Sequence, residues 1–121
     1  MTLFALLVSL MLPSPSSAPL ASFDLRLERE GLEWRVSCAS GCAFSRATIS
    51  CAGDCEVIIS SRGVQTKRDD DLATTAFAFV VTPQRDGWKA ASLHGTAWRE
   101  LSASCAPGCA TRIDETGVRL R

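Results

Sequence analysis

Cys51-Ala52-Gly53-Asp54-Cys55-Glu56-Val57-Ile58-Ile59-Ser60-Ser61-Arg62-Gly63-Val64 carries a pattern that this chain uses twice. Fifty-four residues on stand Cys105-Ala106-Pro107-Gly108-Cys109, then Ile113, then Gly117-Val118, so both copies carry C-A-x-x-C-x-x-x-I-x-x-x-G-V. The same offset aligns Phe23 with Phe77, Leu25 with Phe79, Leu27 with Val81, Trp34 with Trp88, Gly41 with Gly95 and Phe44 with Trp98. Over the 45 positions from Phe23 to Lys67 there are 11 identities, against about 3 for random pairing of ordinary compositions. The matches fall on aromatic, glycine and cysteine positions, where fold geometry is most demanding. Self-similarity at a fixed spacing signals a repeated architecture, here residues 23–64 repeated in 77–118.

Within each copy the pattern is that of strands. Phe23-Asp-Leu-Arg-Leu-Glu-Arg alternates apolar and charged residues, Glu30-Gly31 turns, and Leu32, Trp34, Val36 and Cys38 alternate again. Period two over such lengths marks half-buried strands, and two of them about a short turn make a hairpin. Ala47 to Cys51 reads as a third strand, Glu56 to Ser60 as a fourth, and Val64-Gln65-Thr66 as a short extension. The second copy follows the same plan, with Asp86-Gly87 as its hairpin turn. No segment reads as a helix. The fold class expected is all-β, with about eight antiparallel strands in a sandwich or closed barrel made of two similar four-stranded halves. Trp34, Phe44, Trp88 and Trp98 are expected in its core.

The 121 residues suit one domain. Residues 3–12 form an apolar run too short to span a bilayer, followed by a Pro/Ser/Ala segment up to Ala21. Residues 1–21 therefore read as a secretory signal peptide, although no Lys or Arg precedes the apolar run. Residues 22–121 read as a single domain, with repeat 1 at about 23–66, a polar linker at about 67–74 and repeat 2 at about 75–121. The expected location is periplasmic or extracellular, with no membrane span once the signal is removed. Thirteen basic residues balance thirteen acidic ones, which argues against nucleic acid as a partner. The linker run Lys67-Arg-Asp-Asp-Asp71 has adjacent carboxylates, whereas calcium loops place them on alternate residues; a solvated linker is expected.

Six cysteines in a small exported domain suggest disulfide reinforcement. Cys51/Cys55 and Cys105/Cys109 are one pair in two copies, while Cys38 and Cys42 align with Ser92 and Thr96 and so are absent together. Residues that come and go as a unit behave as partners. The expected bridges are Cys38–Cys42, Cys51–Cys55 and Cys105–Cys109. A five-residue ring constrains the unfolded chain by only about 2 kcal/mol, so the bridges would pin turns and would not hold the halves together. The competing uses are a thiolate metal site and thiol-redox chemistry. Exported thiols tend to be oxidised, and there is no thioredoxin-like βαβ pattern, so neither a metal nor any other cofactor is expected.

No catalytic constellation emerges. His94, the lone histidine, sits beside a predicted turn and aligns with Ser40. Asp24, Glu28, Asp114 and Glu115 offer carboxylates with no sign of convergence, and no Gly-x-Ser-x-Gly elbow occurs. The expectation is a non-enzymatic protein.

The segment Gly95-Thr-Ala-Trp98-Arg-Glu-Leu101, followed by Cys105, Cys109, Ile113-Asp114 and Gly117, resembles the C-terminal part of a group of small exported bacterial proteins of unknown function. The resemblance covers about 23 residues and implies an envelope or secreted β-protein without supplying an activity. Together these readings point to a non-catalytic binding or structural module of the cell envelope, whose partner would be a protein or envelope component. The alternative is a periplasmic thiol-redox or metal-binding protein acting through its C-x-x-x-C pairs.

Overall fold

A computed structural model describes residues 20–31, 33–50 and 55–120. The expected signal peptide up to Pro19, and Cys51, lie outside the described residues. Ten strands form among those described. The first copy contributes β1 (Asp24–Glu30), β2 (Glu33–Ser40), β3 (Arg46–Ser50), β4 (Val57–Ser60) and β5 (Gly63–Gln65). The second contributes β6 (Ala78–Gln84), β7 (Gly87–His94), β8 (Glu100–Ser104), β9 (Ala110–Asp114) and β10 (Gly117–Leu120). Adding 54 to the bounds of β1, β2 and β3 gives those of β6, β7 and β8, residue for residue. Even the irregularities repeat: a register shift between Asp24 and Leu25 recurs between Ala78 and Phe79.

The strands are all antiparallel, but the expected pair of four-stranded halves is corrected. Each copy has five strands, and its last two leave their own copy. One sheet runs β10-β9-β1-β2-β3 and the other β5-β4-β6-β7-β8. The hairpin β4–β5 thus completes the sheet of the second copy, and β9–β10 that of the first. In register, Leu25 faces Ile113 and Leu27 faces Thr111; 54 residues away, Phe79 faces Ile59 and Val81 faces Val57. The exchange has a steric reason. The chain leaves β8 at the margin of its sheet, and the five residues 105–109 can cross the gap of about 10 Å between facing sheets. To stay in its own sheet, the chain would have to pass back over β7 to reach β6.

Nor is the barrel closed. β3 comes beside β5, and β10 beside β8, yet no ladder joins either pair among the described residues. The result is a two-sheet sandwich with both margins drawn together.

The core lies between the sheets, and the alternation of β1 places Leu25 and Leu27 in it while Arg26 faces out. Phe23 and Phe77, counterparts in the two copies, stack with ring centroids 3.9 Å apart, and Trp98 meets Phe79 edge-on at 5.3 Å. Trp34 and Trp88 are buried in equivalent places, and partly buried Phe44 packs against the same core. Burying rings of this size is worth on the order of 2–3 kcal/mol each. Gly41 and Gly95 share a φ of 89°. A Cβ at either would strike the backbone leading into β1 or β6, at Ser22–Phe23 or Ala76–Phe77. That close approach explains why both copies keep glycine there.

The absence of helix is a second point to correct. Inside the linker, Asp70–Thr74 forms a 3-10 helix. Asp69 caps it, its Oδ1 accepting from the Leu72 N–H at 3.0 Å. Leu72 is buried against Ile58, Ala78 and Val80 on the outer face of the second sheet. The linker is therefore solvated at Asp70 and Asp71 but anchored at Leu72.

Candidate functional site

The cysteines occupy two kinds of place. Cys105 and Cys109 are bonded, with Cα atoms 5.4 Å apart, in the crossover from the second sheet to the first. Cys105 is 1% exposed and belongs to the core. The loop they close also docks on the first copy: Arg29 N–H donates to Cys109 O at 3.0 Å, and Gly108 N–H donates to Arg29 O at 2.8 Å. This bridge therefore does more than pin a turn, because its loop joins the two copies. Cys55 is also disulfide-bonded; its expected partner Cys51 lies outside the described residues. Cys38 and Cys42 are bonded, with Cα atoms 6.3 Å apart, at the end of β2 and only half-buried. At the equivalent place in the second copy the Thr96 hydroxyl donates to the Ser92 hydroxyl at 2.6 Å. A hydrogen bond stands there in place of the sulfur bridge.

The other candidate residues are held apart, each in local service. His94 Nε2 lies 2.8 Å from Thr75 O, tying the end of the linker to β7. Asp114 Oδ1 accepts from the Thr116 N–H (2.8 Å), the Thr116 hydroxyl (2.6 Å) and the Gly117 N–H (3.1 Å), the Asx arrangement that shapes a turn. Burial opposes ionisation of Asp114, but these donors and Arg119 outweigh it and hold the carboxyl below its ordinary range. Glu115 Oε1 accepts from Phe23 N–H at 3.0 Å. Asp24 pairs with Arg112, and Glu28 with Arg26. The hydrogen bond from Arg62 holds exposed Asp69 below its usual value. Among the described residues no group of three or more His, Cys, Asp or Glu gathers where it could hold a metal ion.

Buried Arg29 was not foreseen as an organising residue. One guanidinium nitrogen donates to Arg85 O and Cys105 O, both at 2.7 Å, while Nε donates to Gly31 O at 3.1 Å. The guanidinium carbon sits 5.3 Å from the centre of the Trp34 ring. Its counterpart is Pro83, so this clasp exists in one copy alone.

The larger asymmetry lies on the outer faces. Across the first sheet, register aligns Arg119, Arg112, Arg26, Ser37 and Arg46 in a single cross-strand rung. All four arginines are exposed. In the second sheet the equivalent rung is Gln65, Ile58, Val80, Ala91 and Glu100, and Leu72 packs on its apolar middle. Carboxylates flank the arginines: Arg26 meets Glu28 at 3.2 Å, Arg119 meets Asp114 at 3.1 Å, and the Arg112 Nε donates to Asp24 Oδ1 at 3.3 Å. The bond to Asp24 raises the Arg112 pKa further. A groove of about 320 Å³ opens on this face between Asp24, Arg26, Ser37, Cys38, Ala39 and Arg112. The second sheet has a groove of about 440 Å³ in a different place, lined by Val80, Thr82, Lys89, Ala91, Glu100 and Ser102 among others, of which only Val80 and Ala91 are equivalent to residues of the first groove.

No helix among the described residues is long and apolar enough to cross a membrane. No family model, no curated protein and no solved structure matches the chain.

Proposed function

We propose that this chain is an exported, disulfide-reinforced β-module of the cell envelope that binds a partner and carries out no chemistry. We place its contact surface on the outer face of the first sheet. The observation that carries this reading is the divergence of one rung: the first three strands of the two copies agree in bounds and register, yet one sheet presents four arginines and a serine where the other presents Gln, Ile, Val, Ala and Glu. On the second sheet the middle of this rung is covered by Leu72, whereas on the first the arginines stand exposed, and an uncovered rung of four like charges suits contact with something outside the fold. Individual attachment of His94 and of the carboxylates supports a non-catalytic role. The leader-like residues 1–21 and the disulfides support export.

A thiol-redox reading is favoured by one feature, the half-buried Cys38–Cys42 bridge at the rim of the arginine groove. Fractionation of expressing cells, with intact mass and thiol titration, separates the two readings. The binding module should leave the cytoplasm, lose its leader and show no free thiol. Retention in the cytoplasm with titratable thiols would overturn it, and a bridge that cycles with a disulfide oxidoreductase would favour the redox reading.

A further inference from the structure

Resting on the binding-module reading, we propose that the arginine rung binds a linear acidic polysaccharide, a chain carrying carboxylates and free hydroxyls on successive sugars. The rung runs across strands, and neighbouring strands are about 4.8 Å apart. Arg119, Arg112 and Arg26 therefore follow one another at single strand spacings, and Arg46 stands two further on, past Ser37. Five strands make the rung about 19 Å long, a track suited to an extended polymer.

The side chains select the kind of polymer. Arginine is a pure donor whose planar fork matches a carboxylate, and ionised Asp and Glu are pure acceptors. Here the two alternate: Asp114 beside Arg119, Asp24 beside Arg112, Glu28 beside Arg26. A ligand bearing only anionic groups would gain the arginines but be repelled by the three flanking carboxylates. A neutral glycan would satisfy the carboxylates and leave the arginines unused. A uronate chain meets both, its carboxylates accepting from arginine and its hydroxyls donating to Asp24 and Glu28. Arg26 can change partner at small cost, because its pair with Glu28 is exposed on both sides and such pairs contribute little. The groove between Arg26, Ser37 and Arg112 offers a concave seat for one sugar ring.

The same face is poorly suited to single-stranded nucleic acid. Such binding relies on aromatic platforms and a basic groove. The large rings of this sheet, Phe23 and Trp34, are buried in the core and offer no stacking platform. The second sheet supplies an internal control, since its equivalent rung has no arginine.

The test uses the processed, oxidised protein with polygalacturonate as probe, and dextran, poly(A) and polyglutamate as comparisons, by calorimetry or affinity electrophoresis. Polygalacturonate should bind, dextran should not, and poly(A) and polyglutamate should bind at least about tenfold more weakly, with all polyanion binding falling as salt rises. Arg26→Gln with Arg46→Gln should weaken polygalacturonate binding by about tenfold or more, with thermal stability retained. Lys89→Gln with Glu100→Gln on the second sheet should change it less than about twofold. Equal or tighter binding of poly(A) or polyglutamate through the same arginines would overturn the polysaccharide while leaving a binding module in place. Polygalacturonate binding that ignores the arginine substitutions, or no binding to any polymer, would overturn the rung as the site.

Discussion

Gly95 and Gly31 separate two reasons for keeping a glycine. Both have positive φ, 89° and 64°, but a side chain at Gly31 meets nothing, whereas one at Gly95 strikes the backbone at Ala76 and Phe77. Gly31→Ala should therefore cost about 1 kcal/mol, the ordinary penalty for a left-handed residue. Gly95→Ala adds a backbone collision and should cost at least about 3 kcal/mol. Urea denaturation of the two variants checks the order, and equal costs would contradict the close approach. Asp114 gives a pH dependence at the same scale. Its folded pKa is depressed, so its contribution to stability is complete above the unfolded value near 3.9 and is lost as pH falls through the folded value. Thermal melts below about pH 4 should show a decline that is shallower in Asp114→Asn. An identical decline in both proteins would contradict the role given to this carboxylate.

The bridges and the rung belong to the scale of elements. Cys38→Ser with Cys42→Thr writes the second copy's Ser92–Thr96 pair into the first, and removal of so small a ring should cost at most about 2 kcal/mol. Cys105→Ala with Cys109→Ala removes a ring of the same size, but also buried sulfur in a loop docked on Arg29. Its cost should reach about 3–4 kcal/mol. Denaturant midpoints that reverse this order would contradict the difference in placement. Much at this scale was legible in the text of the chain. Leu25, Leu27, Trp34 and Val36 alternate strictly, so β1 and β2 could be read directly, and the shared absence of Cys38 and Cys42 from the second copy singled them out as a pair. The 3-10 helix was not legible, because the charged run at 67–71 conceals the one anchoring leucine that follows it. The arginine rung was hidden for a different reason. Arg26 and Arg112 are 86 residues apart and become neighbours only through a strand pairing that periodicity does not reveal.

At the scale of the whole molecule, the repeat foretold the correspondence of the copies but not their interleaving. An offset of 54 residues says that β4 resembles β9; it does not say which sheet either joins. That choice rests on the short bridged crossover, which carries the chain from one sheet to the other and obliges each copy to complete its neighbour. Interleaving also implies that neither half keeps its sheet intact alone, so the two should unfold together, in one transition. The most direct measurement is the set of cross-strand nuclear Overhauser effects between Hα and amide protons of the oxidised protein. The exchanged hairpins predict contacts between Leu25 and Ile113 and between Phe79 and Ile59. Contacts joining Leu25 to Ile59 and Phe79 to Ile113 would show each hairpin paired within its own copy, and would contradict the account.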